Sequence, residues 1–347
     1  MRKPVYHVMA AVMLALVLWP GLAINGSAQA DEVATTSLLS VNVPKGGLPP
    51  APAFLRLVRI TLDPGATSIA HTHPGPEFGR IESGVIAVTV TGPASIKQRS
   101  AKEKDPFEAV KSGSTTNLDK GDQIYYPAGT RISFTNKGED PAEVLAIVIL
   151  PAESGHPELI TYTEATPTDK DFAGVTSEIL GDAIMTTIPA GDAVVALDRV
   201  QLKAGQSLPG TVNPVLFSVE SGDCQFTITG GQVQISRMRE PGAQTDVAQD
   251  ENIKLRSGDS VFFANGTRTT SRGDNSAELD LLRVIVSPAT TDEKLSQDGR
   301  GSIRFKAPSA ADTGDDEGDG ETASGFTKGG SVYVNSSDVN LRDSPSL

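Results

Sequence analysis

The sequence predicts an all-β protein built from two similar domains in tandem. Long stretches alternate apolar and polar residues, as in VIAVTVTG at 85–92, and this period of two is typical of half-buried strands. Turn-forming residues separate these stretches, since the 347-residue chain contains 34 Gly and 23 Pro. The pattern of the first half also recurs in the second half, which indicates a duplicated structural unit.

Four blocks recur in the same order at offsets of about 140 residues. They are VRITLDPG (58–65) with DRVQLKAG (198–205), IESGVIAVTVTG (81–92) with VESGDCQFTITG (219–230), KGDQIYYPAGTRISFTN (120–136) with SGDSVFFANGTRTTSRG (257–273), and VLAIVIL (144–150) with LDLLRVIV (279–286). We therefore expect one domain at 54–151 and a second at 194–288. A lead-in segment at 31–53 would wrap an edge before the first domain, and a linker with a lead-in at 152–193 would join the two.

Residues 93–119 interrupt the β pattern. The run KQRSAKEKDPFEAVKSG is charged and does not alternate, so it predicts a long surface insertion with a helical turn at 107–110.

The N-terminus predicts a signal peptide at 1–30. Arg2 and Lys3 give a basic start, 8–24 is almost entirely apolar, and Ser-Ala-Gln-Ala then ends in the small-x-small pattern that favours cleavage after Ala30. The alternative is an uncleaved membrane anchor. We expect a secreted or periplasmic bacterial protein. Its only cysteine, Cys224, excludes an intramolecular disulfide and is expected to be a packed thiol rather than a nucleophile.

The charge is strongly acidic, at −13 for the whole chain, and loss of Arg2 and Lys3 makes it two units more negative. This argues against nucleic acid or an anionic membrane as a partner of the cleaved protein. Residues 289–347 predict a disordered acidic tether and tail. The tail ends in VNLRDSPS, which resembles the start of bacterial SH3-like domains and suggests a cell-envelope partner.

Two histidines and a glutamate stand close together in GATSIAHTHPGPEFGRIESG at 65–84. His71 and His73 are two residues apart, so in a strand both imidazoles point to the same face. The PGP sequence at 74–76 predicts a reversal that would bring Glu77 alongside the histidines on the next strand. Such a group suits Fe, Mn, Zn, Ni or Cu with open coordination positions. The alternative is that the histidines are merely polar residues near a loop.

This stretch resembles the first motif of the cupin superfamily: Gly, five residues, His-x-His, three or four residues, Glu, six residues, Gly. The matching positions are Gly65, His71, His73, Glu77 and Gly84. The resemblance covers 55–150 and, more weakly, 194–286. It implies two tandem double-stranded β-helix (jelly-roll) barrels, each with an interior pocket, and a metal held by the two histidines and Glu77.

The second cupin motif is incomplete. Gly121, Pro127, Gly129 and Asn136 satisfy it, but Ile132 stands where the family has its fourth metal ligand, a histidine. Ile132 and Phe134 would share a face, which makes the interior apolar at that point.

The second repeat is degenerate. Thr211 and Asn213 stand at the positions of the two histidines, and no acid stands where Glu77 does. In the first repeat Tyr126 could approach a metal or line the pocket, and Arg80 and Arg131 could recognise an anion or lie on the surface.

Three functions are compatible with this pattern. The first is an exported protein that binds a small molecule or carbohydrate in its barrel, with or without a three-ligand metal. The second is a metal-dependent enzyme, most plausibly a dioxygenase, that uses His71, His73 and Glu77. The third is a structural or stress-related protein whose barrels only build an assembly. No base or nucleophile beyond these ligands is evident in the sequence.

Overall fold

The described residues of the chain are arranged in two barrels of antiparallel strands. In this computed structural model the described residues are 33–102, 104–152, 160–163, 172–204, 206, 213–238, 245–246, 250–270 and 278–289. The predicted signal peptide, the predicted tail beyond 289 and Thr211 lie outside them.

Twenty-two strands make up the elements of the described residues. Along the first half they are β1 Ala34–Val43, β2 Ala53–Leu62, β3 His71–Thr72, β4 Glu77–Ser83, β5 Val85–Thr91, β6 Ser95–Lys97, β7 Glu108–Ala109, β8 Thr115–Asp119, β9 Gln123–Tyr126, β10 Arg131–Asn136, β11 Ala142–Pro151 and β12 Thr161–Tyr162. Along the second half they are β13 Val175–Met185, β14 Ala193–Leu202, β15 Val215–Ser221, β16 Asp223–Gly230, β17 Val233–Ser236, β18 Thr245–Asp246, β19 Asn252–Arg256, β20 Ser260–Phe263, β21 Arg268–Thr270 and β22 Leu279–Pro288.

The first barrel consists of two sheets that share one core. A seven-stranded sheet has the order β13-β2-β11-β4-β9-β6-β7, and a five-stranded sheet has the order β12-β3-β10-β5-β8. Leu62 and Val144 of the first sheet belong to the same buried cluster as Val88 and Phe134 of the second. The two sheets therefore pack face to face, which confirms the predicted all-β jelly-roll architecture.

The second barrel repeats this arrangement. Its sheets have the orders β1-β14-β22-β15-β20-β17-β18 and β19-β16-β21. Phe217, Phe226 and Phe263 lie at the centre of its core, and their rings meet edge to face at centroid distances of 5.4 and 5.7 Å.

The barrels exchange one strand each. β1 precedes the first barrel in the chain but pairs with β14 of the second, and β13 follows the first barrel and pairs with β2 of the first. The lead-in at 31–53 thus supplies an edge strand to the second barrel, and the segment at 152–193 supplies one to the first. The alignment of the two repeats does not predict this exchange. It matches each strand of one repeat with the equivalent strand of the other, and it does not show which strands pair.

A third core joins the two barrels. The seven-stranded sheets pack through their outer faces, where Leu57 and Ile147 of the first barrel share a buried cluster with Val195 and Val284 of the second. The outer face of β2 is therefore buried between the barrels, and its inner face lines the first barrel.

The predicted helical turn at 107–110 is wrong. Residues 108 and 109 form β7, which pairs with β6 at the edge of the seven-stranded sheet. Lys97 on β6 is buried, and its Nζ lies 6.0 Å from the centre of the Phe107 ring. Part of the charged insertion therefore extends the sheet. In the part of the chain with a described structure, no helix is long and apolar enough to cross a membrane.

Candidate metal centre

The three predicted ligands come together inside the first barrel. The two histidines lie at the start of β3 and just after it, and Glu77 begins β4. One ligand atom from each of His71, His73 and Glu77 can be chosen so that all lie within 4.8 Å of one another. The predicted convergence of the three side chains is therefore present.

The ligands converge across the barrel rather than along neighbouring strands. β3 belongs to the five-stranded sheet, where it pairs with β10 and β12, whereas β4 belongs to the seven-stranded sheet and pairs with β9 and β11. The turn at 74–76 therefore carries the chain from one sheet to the other. The turn thus brings Glu77 alongside the histidines on the next strand of the chain, and that strand lies in the opposite sheet because a jelly roll places these consecutive strands in opposite sheets.

Glu77 offers an unsatisfied oxygen to the site. Its side chain is 3% exposed, and its Oε2 atom has no hydrogen-bond partner. His73 Nε2 lies 3.2 Å from that oxygen but lacks the angle of a hydrogen bond. An ionised carboxylate buried in this way needs a positive partner, and a metal ion would supply one.

His71 presents the ring nitrogen that a metal requires. Its Nδ1 lies 2.6 Å from the carbonyl oxygen of Ile69, which can only accept, so Nδ1 carries the proton. Burial lowers the pKa of His71, although this hydrogen bond opposes the shift. The neutral ring then has its free electron pair on Nε2, and the backbone bond orients the ring as in known metal sites.

Ile132 occupies the fourth-ligand position in space as well as in sequence. It is the direct partner of His71 in the β3–β10 pair, and it is 1% exposed. Directly paired residues point to the same face, so the isoleucine side chain stands beside the imidazole. On its other side His71 pairs with Tyr162, whose ring centre is 6.5 Å away. The site therefore has three ligands and an apolar neighbour.

Gly75 fixes the turn between the histidines and the glutamate. A Cβ atom added there would lie 1.9 Å from the carbonyl oxygen of Ile149, closer than any real contact. The turn is also held by two backbone bonds, from Ile149 N to the Pro76 carbonyl (3.1 Å) and from Gly129 N to the His73 carbonyl (2.9 Å). The turn must therefore lie directly on β11.

Replacing Gly75 with alanine should lower the free energy of unfolding by about 1–3 kcal/mol, because the turn must move off β11. Urea unfolding monitored by circular dichroism measures the change. Gly191→Ala is the matched control, since a Cβ added there meets no atom within 4 Å. Equal free energies of unfolding for Gly75→Ala and Gly191→Ala would show that the turn does not need the close approach of Gly75 to the Ile149 carbonyl oxygen.

Arg80 and Arg131 do not reach this site. Arg80 donates to Glu82 and to the carbonyl of Leu38, and Arg131 donates to Thr163 Oγ1 at 2.7 Å. Both alternate with inward-facing neighbours, Ile81 and Ile132, and so point out of the barrel. The idea that they recognise an anion in the pocket is not supported.

Three other polar residues, Asp182, Arg56 and Tyr126, share the level of Glu77. Strand register places five residues in one row across the inner face of the seven-stranded sheet, here called the Arg56 row: Asp182, Arg56, Val148, Glu77 and Tyr126. Tyr126 is next to Glu77 and is 2% exposed, and burial beside that carboxylate raises the pKa of Tyr126 well above 10. Arg56 was not a sequence candidate. The signal that reveals it is the difference between the repeats, which pair Arg56 with Ala196.

The described residues of the second barrel form no equivalent of this site. Strand register gives Val215 as the counterpart of Glu77 and Phe263 as that of Tyr126, and both belong to the apolar core. Asn213, at the position of the second histidine, is half-buried. This agrees with the predicted loss of ligands in the second repeat.

The first barrel thus fits a divalent transition metal by its donor set. Two neutral imidazoles and a carboxylate suit Fe, Mn, Zn, Ni or Cu, and the orphaned Glu77 oxygen is the atom that a metal would satisfy.

Comparison with known proteins gives matches among solved structures only. No protein-family model and no curated protein matches the chain. Oxalate decarboxylase from Bacillus subtilis is 13% identical, with 72% of this chain and 75% of that chain covered and a TM-score of 0.33. A cupin 2 conserved barrel domain protein from Leptotrichia buccalis is 9% identical (75% and 92% covered, TM-score 0.29), and vicilin from hazelnut, Corylus avellana, is 10% identical (72% and 85% covered, TM-score 0.34).

TM-scores this low support no inference about function, and the fold assignment rests on strand order, register and motif positions. Each barrel pairs a seven-stranded sheet with a smaller one, of five strands in the first barrel and three in the second, and the first carries His71, His73 and Glu77 at the predicted spacing. The chain therefore has the fold of a two-domain cupin.

Proposed function

We propose that the first barrel binds a small molecule at a three-ligand metal centre formed by His71, His73 and Glu77. The observation that carries this proposal is the buried Oε2 of Glu77, which has no hydrogen-bond partner and faces two imidazoles. Such an arrangement is costly in a protein without a cation to satisfy it. Three ligands leave coordination positions for a ligand molecule.

Solvent reaches this site, as binding requires. His71 and the His73 side chain keep 9% and 10% of their surface exposed, whereas apolar core residues of the same barrel, such as Val88 and Val90, keep none. The two histidines are therefore less completely buried than the apolar core of the same barrel. The ligand proposed here is a small molecule, with a carbohydrate as one class that a barrel of this kind can hold.

A metal-dependent enzyme, most plausibly a dioxygenase, is the second candidate. It is favoured by the set of two histidines and one carboxylate, which is the ligand set of non-haem iron oxygenases. A metal held there would supply a Lewis acid and, if redox-active, one-electron chemistry with O₂. The protein's own residues would hold the metal and exclude bulk water.

Elemental analysis of the untagged protein tests the metal centre. We expect close to one equivalent of a transition metal per chain in the wild type and less than about a tenth in His71→Ala, because loss of a direct ligand exceeds the 10–100-fold effect of losing a supporting residue. His156→Ala is the matched control, since His156 is the remaining histidine after the leader. Metal-free wild type, or equal metal in His71→Ala, would contradict the proposal.

Oxygen consumption separates the two candidates. A binding protein should retain metal and show no oxygen uptake with added small molecules, whereas a dioxygenase should consume oxygen with one of them and lose this activity in His71→Ala. Metal should also raise the melting temperature of the wild type, since a ligand that binds only the folded state stabilises it by mass action.

We further propose that the protein is exported and that its tail contacts a cell-envelope partner. The basic and apolar N-terminus and the Ala-x-Ala pattern support cleavage after Ala30. N-terminal sequencing of protein recovered from outside the cytoplasm should begin at Asp31. An intact Met1 on that material would contradict cleavage.

A further inference from the structure

We propose that the small molecule bound in the first barrel carries a carboxylate, and that Arg56 binds this group. The inference rests on the proposed function, because it assigns the ligand class of the same site. Arg56 is a specificity-determining residue in this proposal, and the metal would hold another part of the same ligand.

Arg56 is buried and incompletely satisfied. It is 7% exposed, and one of its terminal nitrogens, Nη2, donates to Asp182 Oδ2 at 3.0 Å. Its Nε is buried without a hydrogen-bond partner. A guanidinium can donate from Nε and a terminal nitrogen in parallel, which is the geometry that a carboxylate accepts. A buried donor left unsatisfied costs free energy that a bound carboxylate would recover.

Register places Arg56 on the same face as the metal ligands. Arg56 pairs with Val148, and Val148 pairs with Glu77, so all three side chains point to the inside of the barrel. The backbones of Arg56 and Glu77 are two inter-strand distances apart, and this separation is about 10 Å. Both side chains extend into the interior from there, so one small molecule can contact a metal at Glu77 and the guanidinium together.

The unsatisfied atoms coincide with this row. The buried side-chain atoms without a hydrogen-bond partner among the described residues are Arg56 Nε, Glu77 Oε2 and Tyr126 Oη. All three belong to the Arg56 row, although the described residues include many other buried polar groups. Buried polar atoms are satisfied almost everywhere in folded proteins, so three exceptions at one level indicate a layer that is completed by a ligand.

The second barrel shows what the same row becomes without a ligand. The register counterparts of the Arg56 row there are Ser40, Ala196, Ile285, Val215 and Phe263. None of these is charged, and four of the five pack in or against the apolar core of that barrel. The fold therefore does not require an arginine or a glutamate at this level.

The charge balance of the layer favours an anionic ligand. Arg56 is positive, Asp182 and Glu77 are negative, and a divalent metal would add two positive charges. With neutral histidines the loaded layer would carry one excess positive charge, and buried charge of this kind is stable only when it is paired. One carboxylate would neutralise it.

Apolar side chains lie beside Arg56 and could contact the hydrocarbon part of a small organic acid. The guanidinium carbon lies 4.9 Å from the centre of the Phe54 ring, and Phe54 and Val148 form a small apolar cluster with Leu150. Phe54 and Val148 are 8% and 7% exposed, so these two side chains are not completely sealed from solvent. The ligand would thus meet charge on one side and an apolar wall on the other.

Calorimetric titration of the metal-loaded full chain with succinate tests the proposal. Succinamide, which has the same shape but no charge, should bind about 10–100-fold more weakly, as expected for loss of a charge-assisted hydrogen-bond pair. The double variant Arg56→Gln/Asp182→Asn removes the cation without leaving a buried carboxylate behind. We expect it to keep its metal and to bind succinate about 10–100-fold more weakly than the wild type does.

The matched control makes the same change in the other barrel. Arg283→Gln/Asp198→Asn also removes a buried arginine–aspartate pair, and it should leave succinate affinity unchanged. Arg56→Lys keeps the charge but loses the fork of donors, so it should weaken succinate binding about 10-fold even if the double variant fails to fold.

The outcomes separate this inference from the function on which it rests. Equal affinities for succinate and succinamide, no succinate binding by metal-loaded wild type, or unchanged succinate binding in both Arg56 variants would overturn the role of Arg56 while the metal centre stands. Absence of metal from the wild type, with no succinate binding, would instead overturn the proposed function.

Discussion

Replacing Ile132 with histidine should tighten metal binding by the first barrel by about 100-fold or more. Ile132 is the direct strand partner of His71, so a histidine there projects its ring toward the same ligand group. It would add a fourth donor to three that are already assembled. Supporting residues around metal sites contribute 10–100-fold, and a direct ligand should contribute at least as much.

Competition with a chelator measures this gain, because the metal dissociation constant can be read from the chelator concentration that removes half of the metal. Without metal, the variant should be less stable than the wild type, since an imidazole would replace an apolar side chain that is 1% exposed. With metal, its melting temperature should rise more than that of the wild type.

The double variant Ile132→His/His71→Ala is the control for ligand count. It again has three ligands, so its metal affinity should fall back toward that of the wild type. An unchanged affinity in Ile132→His would mean that the ring cannot reach the group. The loss of the fourth ligand would then have been followed by a rearrangement of the barrel.

The ligand group could be predicted from sequence because it depends on short-range geometry. Two histidines two residues apart, a turn and a glutamate lie within seven residues, and strand alternation with a tight turn is enough to bring them together. The tandem repeat followed from similar local patterns, whereas the jelly roll was implied by the resemblance to cupins. The local pattern did not show that this turn joins opposite sheets.

The Arg56 row could not be predicted from local pattern, because it depends on long-range register. Arg56 and Glu77 are brought to one level by β11, which pairs with both of their strands and comes much later in the chain. The same limit applies to Asp182, which reaches the row on an exchanged strand. Alternation gives the face of a residue, but only strand pairing gives its height in the barrel.

The segment FLRLVRITL at 54–62 contains both Arg56 and Arg59. Nothing in the local sequence distinguishes the two arginines. Arg59 lies on the opposite face of β2 and pairs with Glu178 and Glu220, part of a network between the barrels. Arg56 faces the metal ligands. The comparison between repeats separates the two residues, because Arg59 is matched by Arg199 and Arg56 by an alanine.

A single substitution of Arg283 by methionine should destabilise the protein by about 3–5 kcal/mol. Arg283 and Asp198 are strand partners inside the second barrel, and their side chains are 6% and 9% exposed. Both Nε and Nη2 of Arg283 donate to Asp198 Oδ2, at 3.1 and 2.6 Å. Removing the arginine leaves a carboxyl group buried in an apolar core.

The pH dependence of this loss identifies the stranded carboxyl as its cause. Burial raises the pKa of Asp198 in the folded protein, and Arg283 opposes that shift. Without Arg283 the pKa rises further, so the folded variant holds its proton at a pH where the unfolded chain, with a pKa of about 3.9, has lost it. The stability deficit should therefore be small below pH 4 and should grow as the pH rises toward the folded pKa.

Urea unfolding of Arg283→Met at several pH values, compared with the double variant Asp198→Leu/Arg283→Met, tests this argument. The double variant removes both charges. Its free energy of unfolding should lie within about 1 kcal/mol of the wild-type value or above it, because apolar replacements of a buried ion pair are often neutral or stabilising. A deficit equal in both variants would assign the loss to packing. In contrast to Arg56, the Arg283 nitrogens that face its partner are both satisfied within the protein, so the pair in the second barrel is complete without a ligand.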